Sequence, residues 1–150
     1  MNVWSLSEIQ TNHIIDSQPK KMLEWGSGEA SQKFVQAGID LTSIEHNEGM
    51  FPHAGNYKVV PPILRTHFEP KQFIDWSPYV MVENLEQYDC ILIDGEARGE
   101  CLAWTARYAD RNARIYLDDY QRGWYGWALD FFDVINVIEG FAHMAELKIK

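Results

Sequence analysis

The sequence predicts one α/β domain built on a mostly parallel sheet, and three observations carry that prediction. Short β-rich runs alternate with helical patterns along the chain, which is how strand–helix–strand crossovers read. Cys90-Ile91-Leu92-Ile93 is an unbroken apolar run, as expected of a central strand covered on both faces. Several strand runs end in an acid or a glycine: Glu24-Trp25-Gly26-Ser27-Gly28, Glu45, Asp94-Gly95 and Asp118-Asp119. A chain of 150 residues is the ordinary size of a single domain, and no repeat or linker divides it.

Residues 5–16 read as a leading helix, capped by Ser5 or Ser7 and stopped by Pro19. Residues 21–25 form a first strand that runs into Gly26-Ser27-Gly28. Behind it Ala30, Phe34 and Ala37 recur at helical spacing, and Gly38 suits the helix end. Residues 41–45 are a second strand, and a third near 57–61 is cut off by Pro61-Pro62. The stretch 66–87 is the hardest to read; Tyr79, Val80, Val82 and Leu85 predict one helix started by Ser77-Pro78. Residues 90–93 are the buried strand, 99–109 a helix with Cys101, Trp104 and Tyr108 on one side, and 114–117 a fifth strand. A sixth helix, rich in Trp and Phe, is predicted over 123–133. Residues 134–138 and 144–149 flank Glu139-Gly140 as a hairpin-like pair. Alternation of Ala145, Leu147 and Ile149 with charged residues marks the last as a half-exposed strand nearer the sheet edge.

Composition narrows the function classes. The 46% hydrophobic share excludes disorder, and no apolar run is long enough to span a membrane. With 13 basic against 22 acidic residues the net charge is −9, which argues against a nucleic-acid partner. No signal peptide is visible, and Cys90 and Cys101 form no CxxC pair, so a reduced, cytoplasmic protein is the simplest expectation.

Ligands of open parallel sheets bind at the carboxyl ends of the strands, near the switch point. Carboxylates gathered there need a cationic or donor-rich partner. Gly26-Ser27-Gly28 follows a strand and opens a helix, and Glu45 lies 19 residues beyond Gly26, where an acid accepts both ribose hydroxyls. Ser31 stands where a dinucleotide fingerprint has its third glycine, and Glu24 sits two residues before Gly26. A pyrophosphate would be repelled there and an ammonium attracted. S-adenosylmethionine, with an amino group, a sulfonium, a ribose and no phosphate, suits this pattern better than NAD.

Leu23-Glu24-Trp25-Gly26-Ser27-Gly28, Ser43-Ile44-Glu45-His46-Asn47, Ile93-Asp94-Gly95-Glu96-Ala97-Arg98 and Leu117-Asp118-Asp119 resemble successive motifs of the class I S-adenosylmethionine-dependent methyltransferases. Val59-Val60-Pro61-Pro62 resembles the third-strand region of bacterial members. The match covers about residues 20–120, in order. It implies a Rossmann-like three-layer sandwich with a seven-stranded sheet and one antiparallel strand near the C-terminal edge. It further implies that Glu24, Gly26, Ser27 and Gly28 line the methionine portion, that Glu45, with His46 beside it, holds the ribose, and that Asp94 lies near the transferred methyl. Two departures stand out: Glu29 occupies a position where relatives often have Gly, and the chain is short for the class, with little room for a substrate-binding cap.

Asp94, Asp118 and Asp119 also resemble the Mg²⁺ ligands of catechol-type O-methyltransferases, and hard oxygen donors suit that ion. The alternative is that Asp118-Asp119 caps the next helix and Asp94 touches only the cofactor. Arg98 and Arg122 follow the fourth and fifth strands into the same cleft. They either recognise an anionic acceptor, such as a sugar acid, or neutralise neighbouring aspartates. The Trp124-Tyr125-Gly126-Trp127 cluster reads more readily as core than as a stacking platform. His67 is a candidate general base, His46 and His53 follow the second and third strands, and both cysteines read as core.

The expectation is therefore methyl transfer from S-adenosylmethionine to a small molecule, at oxygen, with Asp94, Arg98, Asp118 and Arg122 at the reacting centre. The rival readings are a non-catalytic nucleotide-binding module of the same fold and an NAD-dependent oxidoreductase. So little covering structure predicts an open active-site mouth, or one completed by another copy in a homo-oligomer.

Overall fold

The computed structural model describes residues 5–49, 53–66 and 72–150. Helix α1 (Glu8–Asp16) starts at Ser7, whose Oγ accepts the Gln10 N–H while the Gln10 side chain accepts the Ser7 N–H. This reciprocal box satisfies two of the helix's free donors. Strand β1 (Lys21–Trp25), helix α2 (Glu29–Gln36) and strands β2 (Asp40–Glu45) and β3 (Asn56–Val59) follow. Strands β4 (Ile63–Thr66) and β5 (Gln72–Asp75) then form a separate antiparallel pair, ahead of the single-turn helix α3 (Ser77–Val80). Strand β6 (Cys90–Ile93), helix α4 (Arg98–Tyr108), strand β7 (Arg114–Leu117), the short helix α5 (Gly126–Leu129), and strands β8 (Phe132–Ile138) and β9 (Met144–Ile149) complete the chain.

The main sheet has seven strands in the order β3-β2-β1-β6-β7-β9-β8. The first five pair in parallel, and β9 runs antiparallel to both of its neighbours. This is the topology expected from the motifs. Strand β1 lies between β2 and β6, so the chain reverses its direction of winding there and opens a crevice at the carboxyl edge. Successive residues of a strand point to opposite faces. Leu23, Trp25, Ile91, Ile93, Ile115 and Leu117 accordingly pack under α3 and α4, while Met22, Leu41, Cys90, Leu92 and Tyr116 pack under α1 and α2 with Ile14 and Phe34. Each such side chain contributes roughly 1.5–3 kcal/mol when fully buried.

Four sequence expectations are corrected. The helix predicted over 123–133 is a 3-10 turn at Gly123–Tyr125 and one turn of α5, because Phe132 leaves it to pair with Ile149. Strand β9 is an interior strand, and β8 is the edge that exposes Val134, Ile135 and Val137. The alternation in β9 fails at Glu146, which is buried and accepts hydrogen bonds from Arg114 (2.9 Å) and His13 (3.2 Å). The helix predicted from Tyr79 to Leu85 is limited to Ser77–Val80, with a separate 3-10 turn at Leu85–Gln87. Among the described residues no helix is long and apolar enough to cross a membrane.

Candidate active site at the carboxyl edge of the sheet

Hydrogen bonds continue one residue past the strand ends: Gly26 N–H donates to Ile44 O (2.8 Å), Asp94 N–H to Trp25 O (2.9 Å) and Asp118 N–H to Ile93 O (3.0 Å). The ends of β2, β1, β6 and β7 are thereby aligned. Gly26 turns at φ +89°, and a Cβ built on it would lie 2.8 Å from the Gly95 Cα. A Cβ on Gly95 would in turn overlap the Tyr79 hydroxyl. Tyr79 is held beneath by its carbonyl, which accepts the Trp25 indole N–H at 3.0 Å. Two backbones this close admit only glycine.

Past this crossing Gly28 N–H donates to Ser31 Oγ (3.0 Å), and Ser31 Oγ donates to Glu24 Oε1 (2.5 Å). Ser43 Oγ donates to the same oxygen at 2.6 Å. Glu24 is therefore buried behind the glycine loop and does not itself line the cleft. Burial raises its pKa to about 7, against the lowering pull of both serines, with nearby Glu45 adding to the rise. Ser31 is what holds this carboxylate, and Glu29 simply opens α2.

Glu45 does face the cleft. Its carboxylate accepts the N–H groups of Ser27 (2.9 Å) and His46 (2.8 Å), and the His46 Nδ1 lies 2.8 Å away. The His46 ring meets Trp76 and Tyr79 edge-on, at 5.6 and 6.2 Å between centroids.

At the other end, Arg98 donates to Gly95 O (2.8 Å), Asp94 O (3.3 Å) and Asp118 O, and its guanidinium stands 3.7 Å from Asp94 Oδ1. Burial, the Asp118 charge and a hydrogen bond between the two carboxyls push Asp94 well above the usual carboxylate range, and Arg98 opposes that. Two carboxyls this close share a proton. Asp119 takes a left-handed backbone (φ +55°) and pairs with Arg122.

One expectation falls on this geometry. Among the described residues no group of three His, Cys, Asp or Glu side chains is placed to hold a metal ion, so Asp94, Asp118 and Asp119 do not fit a Mg²⁺ site. The physical reason is that Asp119 is committed to Arg122 while Asp94 and Asp118 bond each other. Both arginines are also engaged by carbonyls or carboxylates, as the neutralising alternative expects.

The cleft has a volume of about 530 Å³ and gathers Gly26, Ser27, Gly28, Glu45, His46, Asp94, Arg98, Asp118, Asp119 and Arg122, nearly the whole predicted set. Ser5, Glu96, Gln121, Phe141 and Ala142 also line it, and the sequence reading assigned them no part in the site. The Gln10 side chain donates to Ile138 O (3.1 Å) and Ala142 O (2.6 Å), which carries the β8–β9 connection to the mouth. No local pattern signals that contact, because its partners lie 128 and 132 residues apart. His67 lies outside the described residues. His53 stacks on Tyr57 (3.8 Å, 10°) and does not line the cleft. Cys90 and Cys101 are buried core thiols whose pKa burial raises, hence inert. Trp124 and Trp127 are 80% and 53% exposed, which overturns the core reading; only Tyr125 between them is buried.

No family model matches the sequence, and no curated protein matches it. Solved structures do match its fold. A methyltransferase-like protein from Silicibacter pomeroyi is 21% identical with a TM-score of 0.64, over 97% of this chain and 87% of its own. A TehB-like SAM-dependent methyltransferase from Corynebacterium glutamicum is 18% identical with a TM-score of 0.61, over 93% and 86%. The 1,6-didemethyltoxoflavin-N1-methyltransferase of Burkholderia thailandensis, solved with 1,6-didemethyltoxoflavin and S-adenosylhomocysteine, is 13% identical with a TM-score of 0.64, over 99% and 81%. The chain has the fold of class I S-adenosylmethionine-dependent methyltransferases.

Proposed function

We propose that this protein binds S-adenosylmethionine and transfers its methyl group to a small molecule. The observation that carries the reading is the cleft's charge. Glu45, Asp94, Glu96, Asp118 and Asp119 line it, and its two arginines are already engaged. Such a lining favours a cationic nucleoside and disfavours a pyrophosphate, which argues against the NAD reading. Three features fit that nucleoside. The glycine crossing allows close backbone approach, Glu45 faces the cleft as a hydroxyl acceptor, and the Ser5 Oγ is buried at the wall with no hydrogen-bond partner among the described residues. Structural neighbours that carry out this chemistry support the same choice.

When bound, the cofactor supplies an electrophilic methyl on a sulfonium. The chain's own part is alignment and proton handling. Gly26 and Gly28 let the ligand settle against the first turn of α2, and Glu45 accepts the ribose hydroxyls with His46 beside it. The Asp94–Asp118 pair holds one proton between its two carboxyls, and the oxygens it leaves unprotonated accept the proton the acceptor loses as its oxygen or nitrogen attacks the methyl carbon and the sulfonium leaves as a neutral thioether. Arg98 is a positioning residue that fixes Asp94 and the carbonyls around it.

Calorimetric titration of the purified chain with S-adenosylhomocysteine and with NAD⁺ tests this. The expected result is binding of the first alone, weakened roughly 10–100-fold by Glu45→Gln, since hydrogen bonds to a charged group contribute about 1.5–3 kcal/mol. Binding of NAD⁺ alone would overturn the proposal. Turnover to S-adenosylhomocysteine over a panel of acceptors separates an enzyme from a binding module.

A further inference from the structure

Beside the cleft, across a rim of Gly95, Glu96, Arg98 and Arg122, a second cavity of about 290 Å³ opens between the first turn of α4 and residues 122–127. Its aromatic walls are Trp124, Tyr125 and Trp127. Two largely exposed indoles on one wall present apolar area that gains from being covered by a flat ligand. Trp127 is seated against the α4 backbone at Gly99, where an added Cβ would lie 2.9 Å from its Cζ2. The glycine thus makes room for the indole.

The charge of this cavity is one-sided. Arg98 is engaged by three carbonyls and Asp94, and Arg122 by Asp119. Glu96 and Glu100 also line it, and among the described residues neither has a salt-bridge partner. Free carboxylates beside indole faces form a cation-selective setting: the ring quadrupole and both charges attract the same ligand, and an acid is repelled by both.

We infer that this cavity seats the acceptor, and that the acceptor is a planar nitrogen heterocycle whose positive charge sits apart from the neutral oxygen or nitrogen that attacks the methyl group. The inference rests on the methyltransferase reading above, because the shared rim is what sets such a ligand against Asp94 and the cofactor cleft. It replaces the anionic acceptor that free arginines would have taken.

Two probes of one shape and opposite charge test it: N-methylquinolinium and quinoline-2-carboxylate, titrated by calorimetry into the full chain with and without saturating S-adenosylhomocysteine. The expected result is that the cation binds about tenfold or more tighter than the carboxylate, and that Trp124→Ala removes about tenfold of that affinity. Glu100→Gln should narrow the ratio between the probes. Trp124 does not line the cofactor cleft, so its variant should hold S-adenosylhomocysteine within about twofold of the parent. Equal binding of both probes, preference for the carboxylate, or an unaltered Trp124→Ala would overturn the inference. Failure of S-adenosylhomocysteine to bind would sink the proposed function instead, while the cofactor-free titrations would still decide the charge and stacking claims.

Discussion

The two ends of the cleft are built by opposite means. At the β1–β2 end, backbone N–H groups converge on one carboxylate, Glu45, and two glycines touch backbone to backbone. At the β6–β7 end, carbonyls and carboxylates converge on one guanidinium, Arg98. At the first end the glycine crossing is set by steric exclusion, which no change of solvent relieves. The second is set by charge, which protonation and salt can alter.

The largest expected effect is at the steric end. Gly26→Ala combines a positive φ with a Cβ 2.8 Å from the Gly95 backbone and should cost about 4 kcal/mol of stability, the sum of strain and overpacking. Urea unfolding reads this directly; an unchanged midpoint would break the contrast. At the charged end, Arg98→Ala strands three carbonyl oxygens and leaves Asp94 without its counter-charge. A loss of about 3 kcal/mol is expected. It should be accompanied by a further rise in the Asp94 pKa, visible by carboxyl NMR.

Glu24 is the titratable group buried within the steric end. Its pKa is raised from 4.5 to about 7 in the folded state, so the folded form binds more protons than the unfolded one between those values. Its stabilising contribution is complete below pH 4.5 and is lost as pH rises through about 7. Asp94, also raised, acts in the same direction. Glu24→Gln should therefore match the parent near the acid limit and exceed it by up to about 3 kcal/mol at pH 8. A parent whose stability climbs from pH 5 to pH 8 would contradict this. The smallest effect belongs to Arg122→Gln, because its ion pair with Asp119 is about half exposed on the arginine side. A change of less than about 1 kcal/mol in thermal unfolding is expected. A larger one would mean that both arginines are structural clamps.

The carboxyl-edge motifs were legible because each is local: a strand, then the residue that ends it. Gly26, Glu45, Asp94 and Asp118 therefore came out correctly on one edge. The burial of Glu24 was not legible, because its partners, Ser31 and Ser43, sit on different elements, and only their convergence turns the carboxylate inward. The metal reading failed for a related reason. Three acids near two strand ends look like a ligand set until the left-handed turn at Asp119 sends one of them to Arg122.

The sequence by itself determined the layer order, the parallel core strands and the acidic lining of the cleft. These follow from residue type and short-range period, which folding cannot change. The tertiary structure alone decided that β8 rather than β9 forms the edge, that residues 126–129 make only one turn of helix, and that Trp124 and Trp127 stand exposed. It also decided that both arginines are already occupied. Each of these depends on which distant partner wins a strand, a face or a charge, and that competition is resolved only when the whole chain is packed.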